Sequence, residues 1–207
     1  MRAEPAMSTG MHRDRLDAVL AALRESGARS VLDLGCGDGA LLAPLLGEPW
    51  VERVVGVDAH GPSLARLRRR LTEAERPERA RLIEGDFTAP ALAQGLGGFD
   101  AAALVEVIEH LPPERLSAVE AAVFRRMRPA TVVLTTPNAE FNALLGTPPS
   151  RMRHPDHRFE WGRAQFARWC QGVAARTGYA VALSCVGGAH PALGGPSQMA
   201  TFSLGRG

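Results

Sequence analysis

Two acidic side chains and a histidine form the most chemically informative cluster of this sequence. Glu106, Glu109 and His110 occupy positions i, i+3 and i+4, so on a helix all three side chains project from one face. Two carboxylates and an imidazole provide a mixed oxygen and nitrogen ligand set that suits a divalent metal ion. One further ligand would complete a set of four, and a later loop offers His154 and His157. The spacing therefore predicts a metal site.

The same residues also have a simpler structural interpretation. Acidic residues favour the positively polarised N-terminus of a helix, so Glu106 and Glu109 could lie on a solvated first turn. The two later histidines could be ordinary loop residues, and the nearby arginines Arg151, Arg153 and Arg158 could form a solvated cluster of charges. Spacing alone leaves both interpretations open.

A second group of residues, earlier in the chain, has the pattern of a cofactor site. Gly35, Gly37 and Gly39 follow a short apolar segment, and glycine lets the backbone approach a ligand closely. Their spacing differs from the dinucleotide pattern, in which the third glycine lies one residue later. Asp33 would repel a pyrophosphate but suits a ligand that carries an ammonium group. Asp58 ends the next predicted strand, where its carboxylate can accept hydrogen bonds from ribose hydroxyls.

Three consecutive residues at the end of the third predicted strand extend this cofactor site. Asp86 can accept a hydrogen bond from an adenine amino group, and Phe87 can flank the adenine ring. Thr88 follows directly and is assigned to the same candidate site. The alternatives for this part of the chain are a tight turn without a ligand and an NAD-linked oxidoreductase.

Alternating strands and helices are predicted to position both groups of residues. Hydrophobic periodicity predicts strands over residues 30–34, 51–57, 79–84, 99–105, 131–136, 179–185 and 198–204. Helices are predicted over residues 12–27, 40–46, 61–73, 106–111, 113–127 and 163–177, with 137–161 irregular and 1–11 a flexible leader. This alternation favours an α/β fold with a doubly wound, mostly parallel seven-stranded sheet.

The composition is that of one ordinary globular domain. The chain has 207 residues, of which 45% are hydrophobic and 22% charged, and a net charge of +2 is too small to indicate nucleic-acid binding. No apolar run approaches the roughly 18 residues of a membrane helix, and the first residues lack the apolar part of a secretory signal, so a cytoplasmic location is expected. Three widely spaced cysteines indicate neither a disulfide framework nor a cysteine zinc site. All 24 Lys+Arg residues are arginine, which excludes a lysine base and a P-loop lysine.

The motifs resemble known families at two levels. VLDLGCGDG with VVGVD resembles the class I S-adenosylmethionine-dependent methyltransferases, over about residues 28–136. EVIEHL, TTPNAEFN and HPDHRFEW, in this order, resemble the Hua-enhancer-type enzymes, which methylate the 2′-hydroxyl at the 3′ end of small RNAs. This second resemblance extends over residues 12–202. The family that it indicates includes a bacterial branch that acts in RNA repair.

The second resemblance implies a role for each residue of the metal site. Glu106, Glu109 and His110 match the family's metal ligands, and His157 matches the fourth ligand. His154 lies at a less constant position and is a candidate for supporting a ligand or handling a proton. The cation that the resemblance implies is manganese, with magnesium or cobalt as alternatives.

The resemblance also implies a reaction, in which a methyl group moves from S-adenosylmethionine to the 2′-hydroxyl of the 3′-terminal nucleotide of a cleaved tRNA or small RNA. A metal that binds both terminal hydroxyls would explain selectivity for an RNA end. Because the chain has no lysine, the Lys-Asp-Lys-Glu mechanism of other ribose methyltransferases is excluded. Arg151, Arg153 and Arg158 are expected to contact RNA phosphates, and Arg153→Ala is expected to weaken RNA binding.

In the bacterial branch, such a domain is the C-terminal part of a longer chain that pairs with a polynucleotide kinase-phosphatase. Residues 12–207 are therefore expected to form such a methyltransferase domain, which is monomeric when isolated. The competing interpretations are an O-methyltransferase that acts on a small molecule and an RNA-binding module without catalysis. HPDHRFEW favours RNA over a small molecule, and the intact metal-ligand pattern favours catalysis over binding alone.

Overall fold

The described part of the chain contains a seven-stranded sheet and helices on both of its faces. The computed structural model describes residues 5–205 except 73, 75, 149 and 189, with side chains described from residue 10 onward. The strands are β1 (Ser30–Leu34), β2 (Arg53–Asp58), β3 (Ala80–Glu84), β4 (Ala101–Val105), β5 (Thr131–Pro137), β6 (Ala180–Val186) and β7 (Ser197–Ser203). The helices are α1 (Pro5–Glu25), α2 (Leu42–Gly47), α3 (Gly61–Leu71), α4 (Pro90–Gly95), α5 (Leu116–Val119, followed by the π-helix Glu120–Met127) and α6 (Arg163–Thr177). Short 3-10 turns cover Pro77–Arg79, Ile108–His110, Pro113–Arg115 and Ala139–Leu145.

The sheet topology confirms the predicted fold class. The strand order is β3-β2-β1-β4-β5-β7-β6, and the first five of these are parallel to one another. β7 is antiparallel to both of its neighbours, β5 and β6. The order reverses between β1 and β4, and open α/β sheets bind ligands in the crevice at the carboxyl ends of such strands. Residues that follow β1 and β4 are therefore placed side by side.

Two apolar layers hold the sheet between its helices. β1 is buried along its whole length, and its residues contribute alternately to the two layers. Leu32 and Leu34 belong to the layer under α5 and α6, whereas Val31 belongs to the layer under α1, α2 and α3. This burial on both faces explains why the parallel strands read as nearly continuous apolar runs. Within the described residues, no helix combines the length and apolarity needed to cross a membrane.

The first helix begins earlier than expected. The sequence predicts a flexible leader over residues 1–11, but α1 begins at Pro5, so residues 5–11 are helical. Residues 1–4 lie outside the described residues. The prediction misplaced only the start of the helix. Residues 5–11 show little apolar periodicity, and their helix continues from the part of α1 that begins at residue 12, where apolar residues recur at helical spacing.

The segment after β4 is also different from the prediction, which placed Glu106 at the start of a helix. Glu106 has a φ of +54°, in the left-handed region, and regular structure resumes only with the 3-10 turn Ile108–His110. Glu106 therefore lies outside the turn that holds Glu109 and His110. Two further elements, α4 and the turn Ala139–Leu145, were not predicted, because segments of six or seven residues show too little periodicity.

Gly39 lies where the glycine-rich loop passes α3 most closely. Its φ is +81°, and a Cβ atom on it would lie 2.3 Å from Leu67 Cδ1. We expect Gly39→Ala to lower the free energy of unfolding by about 2–4 kcal/mol, because backbone strain and overpacking each cost about 1–3 kcal/mol. Urea unfolding measures this loss.

Gly37→Ala is the matched control. Gly37 also has a positive φ, +51°, but a Cβ atom there would meet nothing within 4 Å beyond its chain neighbours in the described residues. Its expected loss is only about 1–2 kcal/mol, from the left-handed backbone alone. Equal losses for the two variants would contradict the close approach to α3.

Candidate active site

The glycine-rich loop after β1 and the end of β2 form one polar crevice. Gly37 N–H donates to Asp58 Oδ2 at 2.8 Å, and His60 N–H donates to Asp58 Oδ1 at 2.7 Å. Asp33 is 2% exposed, and its Oδ2 has no hydrogen-bond partner among the described residues. Burial, followed by the nearby charge of Asp58, raises the pKa of Asp33 to about 7. A buried acceptor without a partner, beside close-approaching backbone, fits the ammonium group that the sequence predicted there.

Asp86, Phe87 and Thr88 lie together just beyond β3. Asp86 Oδ1 accepts hydrogen bonds from Thr88 N–H at 2.9 Å and Thr88 Oγ1–H at 2.7 Å, so Thr88 orients the carboxylate. Arg115, which the sequence analysis did not select, donates to Asp86 Oδ2 at 2.6 Å. Although partial burial opposes it, hydrogen bonding by Arg115 and Thr88 holds the pKa of Asp86 below its ordinary value. Phe87 is buried in the apolar layer beside this carboxylate.

Three of the predicted metal ligands meet at the carboxyl end of β4. One ligand atom from each of Glu109, His110 and His157 lies within 4.8 Å of the other two. The imidazole ring centroids of His110 and His157 are 4.9 Å apart. Glu109 is fully buried, and its Oε2 accepts a hydrogen bond from Thr136 Oγ1 at 3.0 Å. Its other oxygen, Oε1, has no partner among the described residues.

Glu106 stands beside this cluster rather than within it. Its Oε1 lies 3.2 Å from Arg15 Nε of α1. That contact is an ion pair without a well-directed hydrogen bond, because Arg15 Nε and Nη2 donate to Ser197 Oγ at 3.2 and 3.1 Å. Arg15 was not selected from the sequence, where it is one of several arginines on an amphipathic helix. Only the packing of α1 against the sheet brings it to Glu106.

The two carboxylates are electrostatically unfavourable neighbours. Burial, and then the charge of Glu106, raises the pKa of Glu109 well above its ordinary value. Burial also raises the pKa of Glu106, although Arg15 opposes this effect. Partial burial and the adjacent His157 ring lower the pKa of His110, which favours the neutral imidazole that binds metals. Two buried carboxylate oxygens without hydrogen-bond donors, next to two imidazoles, fit a divalent cation of the Mn²⁺ or Mg²⁺ type.

His154 lies at the rim of the cluster. Its ring centroid is 6.0 Å from that of His110 and 5.6 Å from that of His157. It is exposed, and it is not among the residues whose ligand atoms converge. Its Nδ1 accepts a hydrogen bond from Asp156 N–H at 3.2 Å. Its position suits contact with a bound molecule better than completion of the ligand set.

Arg153 has a structural role that the sequence did not predict. Its side chain is half-buried, and its guanidinium donates to Asn142 Oδ1 at 2.5 Å, to Pro196 O at 2.6 Å and to Asn138 O. These bonds join the histidine loop to two other segments, and contact of Arg153 with RNA phosphates stays a prediction. Arg151 and Arg158 are exposed, so their side chains are accessible to RNA phosphates.

The strand order, the glycine-rich crevice and the adjoining acidic residues define an S-adenosylmethionine-dependent methyltransferase domain. A family model described as "Methyltransferase domain" matches residues 31–130. A crystal structure of the methyltransferase domain of bacterial CtHen1-C is 37% identical, with a TM-score of 0.84, and the match covers 95% of this chain and 100% of that one. The chain therefore belongs to the Hen1 methyltransferase family, which confirms the resemblance found in its motifs.

Longer relatives carry names that state an activity. A Gallus gallus protein named small RNA 2′-O-methyltransferase is 35% identical, over 86% of this chain and 48% of its own length. An Arabidopsis thaliana protein of the same name is 32% identical, over 93% of this chain and 22% of its own length. The chain thus spans about half or less of the length of these two relatives.

We expect Glu109→Gln to stabilise the metal-free protein at pH 8 by about 1–3 kcal/mol, because it removes a buried charge that lacks a partner. The pKa of Glu109 is raised in the folded state, so its carboxyl contributes stability at low pH and loses that contribution as the pH rises through the folded pKa. The free energy of unfolding should therefore fall less between pH 5 and 8 in the variant than in the parent. Urea unfolding with a chelator measures both effects.

Glu120→Gln is a control of opposite sign. Hydrogen bonds from Arg176 and Arg125 lower the pKa of Glu120, so this carboxylate contributes stability above its unfolded pKa. Its replacement should destabilise the protein at pH 8. A loss of stability in Glu109→Gln as well would show that Glu109 is already compensated in the metal-free protein.

Proposed function

We propose that this domain transfers the methyl group of S-adenosylmethionine to the 2′-hydroxyl of the 3′-terminal nucleotide of RNA, with the help of a divalent cation. The observation that carries the proposal is the convergence of Glu109, His110 and His157 beside the cofactor crevice, in a chain of the Hen1 family. The names of the relatives support RNA as the acceptor. We favour Mn²⁺, with Mg²⁺ or Co²⁺ as alternatives, because an oxygen and imidazole ligand set suits all three cations.

The residues proposed to hold the cation are Glu106, Glu109, His110 and His157. The first of these is supported by its buried Oε1 without a hydrogen-bond donor and by its electrostatic effect on Glu109. When bound, a divalent cation supplies Lewis acidity, which lowers the pKa of an adjacent hydroxyl group. Thr136 holds one oxygen of Glu109 and leaves the other directed into the cluster.

The proposed cofactor residues are Asp33, Gly35, Gly37, Asp58, Asp86, Phe87 and Thr88. Asp33 would balance the ammonium group of S-adenosylmethionine, and Asp58 would accept from its ribose hydroxyls. Asp58 already accepts from Gly37 and His60, so these contacts hold its carboxylate in place. Asp86 would accept a hydrogen bond from the adenine amino group. Because Arg115 already donates to this carboxylate, the adenine must either share the carboxylate with Arg115 or displace Arg115 from it.

His154 is proposed to accept the proton of the 2′-hydroxyl. When bound, S-adenosylmethionine would supply the methyl group to the 2′-oxygen and leave as S-adenosylhomocysteine, and His154 Nδ1 would take up the hydroxyl proton. That nitrogen would give up its hydrogen bond from Asp156 N–H. The Asp156 carboxylate, 3.7 Å from Nδ1, would stabilise the resulting imidazolium. Exposed Arg151 and Arg158 on the same loop would contact RNA phosphates.

The decisive experiment is methylation of an RNA that ends in free 2′- and 3′-hydroxyls, followed by periodate, which cleaves only an unmodified terminal diol. With S-adenosylmethionine and Mn²⁺ we expect protection from cleavage, and with a chelator we expect none. An RNA with a 3′-phosphate or a terminal 2′-deoxyribose should not accept a labelled methyl group. Complete periodate sensitivity in a sample that binds S-adenosylmethionine would instead favour a small-molecule acceptor.

Variants connect this activity to the cluster. His157→Ala should reduce methylation more than about 100-fold, since loss of a group that merely supports a metal ligand already costs about 10–100-fold. Binding of S-adenosylmethionine should be unchanged. His190→Ala, in the hairpin that pairs His190 with Gly194, is the histidine control and should retain activity.

We also propose that the domain works in cytoplasmic RNA repair as part of a longer chain, with a polynucleotide kinase-phosphatase as partner. The support is the resemblance to the bacterial branch and the match over the whole of a bacterial Hen1 methyltransferase domain. Co-purification of the longer chain with a kinase-phosphatase from the same cell is the expected result. If no kinase-phosphatase co-purifies but the protein methylates cleaved RNA, the proposed partner is rejected and the proposed reaction is retained.

A further inference from the structure

Glu160 contacts His157 through the Nδ1 side of the imidazole ring. Its side chain is 3% exposed, and its Oε1 lies 2.5 Å from His157 Nδ1. The same oxygen accepts a hydrogen bond from Arg153 N–H at 2.8 Å. Its other oxygen, Oε2, accepts from Asn142 Nδ2 at 2.6 Å. Glu160 is part of HPDHRFEW, but its position in that motif does not by itself indicate a role.

The direction of each of these hydrogen bonds is determined by the arginine next to them. Arg153 can only donate, and its Nε donates to Asn142 Oδ1 at 2.5 Å. This contact fixes the orientation of the Asn142 amide, so its Nδ2 faces Glu160 as a donor. The Arg153 backbone N–H is a donor as well. Two of the three neighbours of the Glu160 carboxylate are therefore donors, one at each oxygen, which suits an ionised carboxylate at that position.

We propose that Glu160 is a positioning residue that keeps the proton of His157 on Nδ1 and so presents the Nε2 lone pair to the cation. An acceptor-only carboxylate in contact with Nδ1 requires that nitrogen to donate, because two facing acceptors would repel each other. Neutral imidazole carries one proton, so Nε2 is left as the acceptor. The inference rests on the metal role proposed above and adds a residue that does not itself contact the cation.

The contacts around Glu160 also explain why a carboxamide cannot replace it. Glutamine has one acceptor oxygen and one donor NH₂, whereas Asn142 Nδ2 and the Arg153 N–H donate to Glu160 and His157 Nδ1 also donates in the proposed tautomer. In Glu160→Gln, the NH₂ group must face either Asn142 or the pair formed by His157 and the Arg153 backbone. The first arrangement breaks the link to Arg153, and the second favours protonation of His157 at Nε2, which removes the lone pair from the cluster.

The first test is the protonation site of His157 in the metal-free domain, measured by long-range proton–nitrogen NMR correlations. The chain has six histidines, and comparison with His157→Ala assigns the signal. The parent protein should carry the proton on Nδ1, and Glu160→Gln should shift the population toward Nε2. A parent in which His157 is protonated on Nε2 overturns the proposal, whether or not the variant folds.

The second test is the affinity for Mn²⁺ in the absence of RNA. The electron paramagnetic resonance signal of free Mn²⁺ measures this affinity. Glu160→Gln should bind Mn²⁺ about 10–100-fold more weakly than the parent, the usual cost of losing a group that orients a metal ligand. Glu140→Gln is the matched control, because Glu140 accepts from Arg163 N–H and Nε in a neighbouring segment without touching His157. Its affinity and its His157 signal should equal those of the parent.

The outcomes separate this inference from the function on which it rests. Equal Mn²⁺ affinity in Glu160→Gln and the parent, with methylation intact, would reject the positioning role and leave the proposed function standing. A parent that binds none of Mn²⁺, Mg²⁺ and Co²⁺ would reject both. Weaker binding in Glu160→Gln and Glu140→Gln alike would show a general loosening of the loop and would also reject a specific role for Glu160.

Discussion

The buried carboxylate pair formed by Glu106 and Glu109 is the constraint on which the rest of the site depends. The structure satisfies one oxygen of Glu109 with Thr136 and places Arg15 beside Glu106, but one oxygen of each carboxylate still lacks a hydrogen-bond donor among the described residues. Burying such groups costs free energy unless a cation or a proton compensates them. The raised pKa of both carboxyls expresses this cost, and a bound divalent cation would remove it.

A second constraint is a half-buried arginine that joins the histidine loop to two other segments. Arg153 donates to carbonyl groups of Asn138 and Pro196 and to the side chain of Asn142. A guanidinium group has five N–H donors and no acceptors, so it can bind carbonyl groups of several segments at once. The histidine loop is held in this way against the end of β5 and the segment before β7. Through Glu160, the same contacts reach His157.

The fold was largely predictable because it depends on repeated local patterns. Apolar runs such as residues 30–34 and 131–136 indicated buried parallel strands, and the two final strands completed the sheet of seven. The short helix α4 and the first turns of α1 were missed, since a few residues do not establish a periodicity. The helix predicted from Glu106 was wrong for a different reason, because its left-handed backbone is imposed by the surrounding contacts rather than by local preference.

By itself, the sequence determined which kinds of side chain follow each strand, and therefore the cofactor crevice, the family and the residues proposed as metal ligands. Glu109 and His110 could be assigned because they are close in sequence and follow one strand, and His157 because its motif resembles that of known relatives. Only the tertiary structure decided that Arg15 stands at Glu106, that Arg153 joins the histidine loop to other segments and that Glu160 contacts His157. The contact between Arg15 and Ser197 joins residues 182 positions apart. Such contacts arise from the packing of whole elements, and no local pattern in the chain encodes them.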